Sequence, residues 1–183
     1  MKEQTVVLVK PDGVKRGIVG EIMSRFERVG LKLVAAKLIW VDKLRVGKHY
    51  PNDRAYLKNV GERTLANYQQ YGWDPKEKLG TSDPLEIGKL VRKWNMEFLS
   101  SGPVLALILE GHSAVSIVRK MIGHTFPAEA VPGTIRGDYS LESAYQANSE
   151  LRTIRNLIHA SGSKEEAEFE KKLWFKRSEI YSY

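Results

Sequence analysis

The sequence predicts an α+β domain of the ferredoxin-like βαββαβ type: a four-stranded antiparallel sheet covered by helices on one face, with an inserted segment. Two observations predict it. The apolar periodicity runs β-α-β, breaks over a long irregular stretch, runs β-α-β again and closes with a helix, which is the split order of that fold. The chain has 183 residues, a length that suits one compact domain with a sizeable core, so a single domain over residues 1–183 is expected.

Thr5 to Lys10 is rich in β-branched residues and reads as the first strand. Pro11-Asp12-Gly13 ends it with turn chemistry. Val19 to Val29 has a helical period, with Ile22, Met23, Phe26 and Val29 apolar, and Gly30 stands where a helix C-terminal glycine belongs. Leu31 to Val41 reads as the second strand, after which Asp42 caps a short helix through His49. Pro51 to Ser101 carries many turn signals but contains a helical pattern from Leu85 to Leu99. Val104 to Leu109 is a nearly unbroken apolar strand, Ser113 to Ile122 a helix ending at Gly123, and Gly123 to Asp138 a loop. The polar stretch Tyr139 to Arg152 is partly helical, Ile154 to His159 includes a short strand, and Ser163-Lys164-Glu165-Glu166 is a capping box that opens the last helix.

Apolar residues make up 42 % and charged residues 28 %, the balance of an ordinary globular protein. No apolar run approaches the ~20 residues of a membrane span, and no signal peptide is read at the start. There are no cysteines, which excludes disulfides, thiolate metal sites and cysteine nucleophiles; a cytoplasmic location fits. The formal net charge of +7 favours anionic partners without choosing among nucleotides, nucleic acid and acidic membranes.

Several phosphate-handling families are absent. Gly47-Lys48 and Gly88-Lys89 are not followed by the Ser or Thr of a P-loop, and there is no G-x-G-x-x-G or protein-kinase signature. His49, His112, His124 and His159 have no metal-ligand spacing. The aliphatic central strands carry no aromatic platform for RNA.

Three segments retain chemistry suited to a triphosphate. Lys10, at a strand end and held extended by Pro11, projects a point charge. Arg119, Thr125 and Arg136, the last within Pro132-Gly133-Thr134-Ile135-Arg136-Gly137-Asp138, offer two guanidinium groups and a hydroxyl to phosphate oxygens. In Asn156-Leu157-Ile158-His159-Ala160-Ser161, strand alternation places Leu157, His159 and Ser161 on one face and Ile158 and Ala160 on the other. Each feature alone reads as a solvated or structural residue.

Together they resemble a known family. Lys10-Pro-Asp-Gly-Val, Arg16-Gly, Gly20-Glu-Ile, Arg25-Phe, Pro132-Gly-Thr-Ile-Arg-Gly-Asp, Asn156-x-Ile-His-x-Ser and Leu173-Trp174-Phe175 appear in the order seen in nucleoside diphosphate kinases. The resemblance implies ping-pong transfer of a γ-phosphoryl group through a phosphohistidine at His159. It implies that Lys10, Arg119 and Arg136 hold phosphates, that Thr125 donates to a phosphate oxygen, and that Tyr50 lies near the transferred group. By the same analogy Asn156 binds the ribose with Lys10, Glu170 orients the histidine and Ser161 supports Glu170. Mg²⁺ would be bound mainly through the nucleotide phosphates and not by a protein ligand set. The partners implied are ATP, GTP and the other ribo- and deoxyribonucleoside di- and triphosphates, within a homo-oligomer, hexamer or tetramer, without membrane or nucleic acid. The family stacks the base on an aromatic residue without strong reading of its edge. Asp53-Arg54-Ala55-Tyr56 points to Tyr56 for that role, whereas counting back from Ser101-Gly102-Pro103 points to Val91.

Two stretches, about 59–87 and 139–155, are longer than in the common form. The first is expected to act as a lid or subunit contact, or else as disordered decoration. Ala160-Ser161-Gly162 stands where the family has Gly-Ser-Asp. The competing reading is a catalytically weak family member serving as a nucleic-acid-binding or regulatory scaffold; it would require loss of the histidine or of the phosphate-binding residues, and none is lost.

Overall fold

The computed structural model describes residues 2–183. In chain order the elements are β1 (Lys2–Val9), α1 (Pro11–Lys15), α2 (Val19–Arg28), β2 (Lys32–Trp40), α3 (Lys43–His49), α4 (Arg54–Gln70), α5 (Pro75–Leu79), α6 (Pro84–Leu99), β3 (Pro103–His112), α7 (Ala114–Ile122), α8 (Ile135–Tyr139), α9 (Ala144–Ser149), β4 (Ile158–Ala160) and α10 (Lys164–Trp174). The strands form one antiparallel sheet in the order β2-β3-β1-β4, the ferredoxin-like order.

The sheet is covered on both faces, not on one as the sequence suggests. Val7, Val9, Leu107 and Leu109 pack against Ile22 and Phe26 of α2 and Val118 and Ile122 of α7. The alternate residues Val6, Leu8, Ala106 and Ile108 pack against Val46 of α3, Leu99 of α6 and Trp174 of α10. The reason is visible in β1 and β3. Their cores are apolar at consecutive positions, as a strand buried on both sides requires, whereas a half-solvated strand would alternate.

Three local expectations change. Pro11-Asp12-Gly13 starts the helix α1, because proline is pre-organised for a first helical position. Ile135 to Tyr139, expected as loop, is a short helix capped by the Thr134 hydroxyl, which accepts from the Gly137 N–H at 3.2 Å. The Ser163 box is offset: Ser163 accepts from the Glu166 N–H at 3.1 Å, but the Glu166 carboxylate takes the N–H of Gly162, at 2.7 Å, instead of that of Ser163.

The irregular stretch is a helical hairpin. Asp53, Asp74 and Asp83 each cap a helix start, and Gly80, at φ 76°, ends α5 in the left-handed region. Helices α4 and α6 cross so closely that a Cβ on Gly61 would lie 1.8 Å from the Pro84 carbonyl oxygen. One on Gly88 would lie 1.9 Å from that of Leu57. These two glycines set the crossing; the turn signals that obscured the segment are caps and contact points of an ordered hairpin.

Gly61→Ala and Gly88→Ala should each destabilise the protein by about 1–3 kcal/mol through overpacking, lowering the thermal midpoint by several degrees. Thermal unfolding followed by circular dichroism checks this. Unchanged midpoints would mean that the helices do not cross at these residues.

Candidate active site

The site follows from strand register. β4 pairs with β1 so that His159 faces Leu8, while Ile158 faces Val9 and Ala160 faces Val7. Leu8 belongs to the face covered by α3 and α10, so the imidazole points between the sheet and those helices. Its Nε2 lies 2.6 Å from Glu170 Oε1, on α10. The other Glu170 oxygen accepts the Ser161 hydroxyl at 2.6 Å. His49, at the end of α3, places Nδ1 3.3 Å from Glu170 Oε1 and stacks edge-on against His159 with ring centroids 4.6 Å apart. Trp174 closes the far side of His49 at 5.5 Å.

Glu170 is 2 % exposed, and burial raises its pKa above the ordinary carboxylate range. Burial first, and then the positive charge of Lys10, hold His159 well below its usual 6.5. His49 is lowered by burial and by His159. The imidazole of His159 is therefore neutral near pH 7. With Nε2–H directed at the carboxylate, the lone pair sits on Nδ1, which makes no hydrogen bond among the described residues.

The turn before β4 is strained. Leu157 has φ 68°, and the Ile158 N–H reaches the Asn156 carbonyl at 2.7 Å, closing a γ-turn. The Leu157 carbonyl accepts from the Lys10 N–H at 2.8 Å, and its N–H donates to Asp12 Oδ2 at 3.0 Å. This breaks the alternation expected from sequence: Leu157 joins Ile158 and Ala160 in the core on the opposite face, leaving His159 and Ser161 to share the Glu170 side.

His159 opens onto a cleft of about 320 Å³, at the lower end of small-molecule pockets. Lys10, Tyr50, Arg119, Thr125, Arg136 and Asn156 all line it. Lys10 Nζ donates to Asn156 Oδ1 at 2.7 Å, and Asn156 Nδ2 donates to the Thr125 carbonyl at 2.8 Å. Arg136 gives N–H groups to the carbonyls of Asn156, Gly123, His124 and Ile158, at 2.7 to 3.2 Å. Of its five donors one remains for the cleft. Arg119 is exposed, with only a long 3.5 Å contact to the Ala160 carbonyl. Burial, reinforced by Arg136, lowers the Lys10 pKa to about 8; burial, reinforced by Arg119, lowers that of Arg136 to about 10. No carboxylate lines the cleft among the described residues, so it is a cationic receptor for a polyanion.

Tyr56 lies beside Tyr50 and Arg63 of the cleft. It lies in the first turn of α4 and does not line the cleft, which begins one turn later along the same helical stripe at Val60, Arg63, Thr64 and Asn67. Val91, the position reached by counting back from Ser101-Gly102-Pro103, is on the wall with Trp94. Two contributors escaped sequence reading. His49 falls three residues after the buried Val46 and looks like core filling on a short helix. Arg92 on α6 donates to the carbonyls of Tyr50, Pro51 and Gly47 at 3.0, 3.1 and 2.8 Å, fixing the α3–α4 connection. His49, His159 and Glu170 have ligand atoms within 4.8 Å of one another, but the carboxylate is committed to His159 and Ser161. This nitrogen-rich set does not suit a hard cation.

A neutral histidine backed by a buried carboxylate, at the mouth of a cationic cleft on a ferredoxin-like sheet, is an arrangement suited to a phosphotransferase. The sequence model of the nucleoside diphosphate kinase family matches residues 3–60 and 88–180. A nucleoside diphosphate kinase of Pyrobaculum aerophilum is 45 % identical over 178 residues, 97 % of each chain. One from Pyrococcus furiosus is 39 % identical over 99 % of this chain and 88 % of its own. The crystal structure of an NDP kinase from Pyrobaculum aerophilum superposes with a TM-score of 0.97 at 43 % identity, covering all of both chains. The transition state mimic of the Borrelia burgdorferi enzyme, with bound vanadate and ADP, superposes at 0.80 with 38 % identity, covering 100 % of this chain and 92 % of that one. The chain belongs to the nucleoside diphosphate kinase family, and its activity is phosphoryl transfer between nucleotides.

Because both histidines are held neutral in the folded state, the unfolded chain binds more protons below about pH 6.5. Their contribution to stability is therefore complete above pH 6.5 and lost as the pH falls below it. Urea unfolding of the wild type should show stability declining from pH 7 to pH 5, and His49→Phe should flatten that slope. An identical slope in the variant would mean that His49 is charged in the folded protein.

Proposed function

We propose that His159 carries the phosphoryl group. The Nδ1 lone pair attacks the γ-phosphorus of a nucleoside triphosphate, the bond to the β–γ bridging oxygen breaks, and the nucleoside diphosphate leaves with that electron pair. A terminal phosphate oxygen of a second nucleoside diphosphate then attacks the phosphorus, and the N–P bond breaks to return the neutral imidazole. The observation that carries this reading is the Glu170 contact to Nε2, which leaves Nδ1 as the nucleophilic nitrogen facing the cations.

Glu170 holds the tautomer and stabilises positive charge on the ring as the N–P bond forms, with Ser161 fixing its second oxygen. Lys10, Arg119 and Arg136 receive the phosphate charge, and Thr125 donates to an oxygen. Tyr50, beside His49 at 4.9 Å, faces the transferred group. Asn156 turns its carboxamide, with Lys10, toward the ribose hydroxyls. The apolar walls Val60 and Val91 flank the base in place of Tyr56. The family works with a divalent cation; we assign Mg²⁺, held by the phosphates and not by the chain, since no carboxylate lines the cleft. When bound it supplies charge neutralisation across the phosphates.

We further propose that the chain is one domain with insertions at about 59–87 and 139–155, that it accepts ribo- and deoxyribonucleotides, and that it acts in the cytoplasm as a homo-oligomer, hexamer or tetramer. The edge strand β2 supports assembly by exposing Leu38 and Trp40 at 63 % and 68 %. No described helix is long and apolar enough to cross a membrane.

Incubation with γ-labelled ATP should give an acid-labile, alkali-stable phosphoprotein that discharges to GDP. His159→Ala should take up no label, and normal labelling of that variant would remove the assignment. Glu170→Gln should slow phosphoenzyme formation by roughly 10²-fold, the scale of lost orienting partners. Single-turnover quench kinetics measures it, and a wild-type rate would deny Glu170 its orienting role.

A further inference from the structure

Around His159 the cleft is lined by Lys10, Arg119 and Arg136. Both insertions build the rest of its wall beside Val60 and Val91: Arg63, Thr64 and Asn67 from α4, Ala144, Ala147 and Asn148 from α9, and Arg152, which is paired with Glu142 and Glu150. The insertions grip each other outside the cleft. The Tyr71 and Trp73 rings meet Tyr145 at 5.1 and 4.8 Å, and the Tyr68 hydroxyl donates to the Asn148 carbonyl at 3.4 Å. This part of the wall is therefore ordered.

The side chain of Asn148 is the unusual feature. The residue is only 9 % exposed and lines the cleft, yet its carboxamide makes no hydrogen bond with the described residues. Asn67, also on the wall, is likewise without a side-chain partner. A carboxamide that faces the cleft from a nearly buried residue, without a protein partner, is free to pair with a ligand. A carboxamide offers a donor beside an acceptor, which matches adenine N6 and N7, and two of them can donate together to guanine O6 and N7. Asn67 lies seven residues beyond Val60, about 10 Å along α4, so the wall stands on the outer side of a base held between Val60 and Val91. A two-ring base extends further toward it than a one-ring base.

We propose that Asn67 and Asn148, one from each insertion, read the edge of the nucleobase and give this enzyme a preference for purine over pyrimidine nucleotides. The inference rests on the cleft being the nucleotide site proposed above. It departs from a pocket that only stacks the base.

The test is calorimetric binding of ADP, GDP and CDP to the full chain, with phosphoenzyme formation from ATP and CTP measured separately. The wild type should bind ADP and GDP roughly tenfold more tightly than CDP. Asn148→Leu and Asn67→Leu should bring both purines to within about twofold of CDP while leaving CDP unchanged. Asn148→Ala repeats the comparison without added bulk, and equal thermal midpoints confirm folding. Equal wild-type affinities for all three, or variants that weaken all three alike, would overturn the proposal. A failure of phosphoryl transfer would appear as absence of label while the binding ratio is still read.

Discussion

The arrangement depends on one buried carboxylate. Glu170 is nearly sealed from solvent and faces His159, His49 and Ser161 at once. A charge in that place would be strongly disfavoured without partners. Each partner comes from a different element: β4, α3 and the turn after β4, with the carboxylate itself on α10. The docking of α10 and α3 on the sheet is thus coupled to the tautomer of His159. The full burial of Trp174 in the same layer makes that docking rigid, so His159 is positioned by the core itself.

The two-sided sheet makes this possible. A histidine on a half-solvated sheet would face either water or a single hydrophobic layer. Here β4 is an edge strand of three residues, short enough to bring His159 to the rim while both layers still cover its neighbours. The Leu157 turn feeds it in at the required angle. A left-handed leucine costs roughly 1–3 kcal/mol, and Lys10 and Asp12 hold it from the adjoining strand end. The Lys10-Pro-Asp segment therefore serves twice, carrying a cation into the cleft and bracing the strand that bears the histidine.

How legible this was in the sequence differs from residue to residue, for physical reasons. The strand and helix order was readable because the periods of β1, α2, β3 and α7 are strong. Lys10, Arg119, Arg136 and Asn156 could be found because short segments with turn and glycine chemistry carry them, and the structure gathers them around one cleft. His49 could not, since its partner Glu170 is 121 positions away and nothing local marks it. The face of Leu157 was misread because strand alternation assumes extended backbone, and φ 68° violates that assumption. Tyr56 stands out in the sequence for its ring; in the structure it neighbours Tyr50, and the lining of the cleft takes up α4 one turn later, a matter of helix phase that residue type does not carry. The α4–α6 hairpin looked irregular because its glycines serve contact between helices, which is invisible without the partner helix.

The electrostatics of the cleft tie binding to the charge state of the histidine. Burial depresses both Lys10 and Arg136; the charge of Arg136 adds to the depression of Lys10, and that of Arg119 to the depression of Arg136. None of the three has a carboxylate partner among the described residues; their donors rest on carbonyls and a carboxamide. Three like charges assembled in a recessed site oppose folding, and the fold tolerates them because α10 and the core hold the scaffold independently. A polyphosphate removes that repulsion on arrival. Its charge also raises the proton affinity of Lys10, so a site with a lysine pKa near 8 becomes fully cationic in the complex. Burial first, and then the field of the same cations, keep His159 neutral. Phosphate oxygens that neutralise the cations remove that part of the opposition to positive charge on the ring, and Glu170 beside Nε2 favours such charge. The cations that would receive a polyanion are thus the same ones that oppose positive charge on the His159 ring.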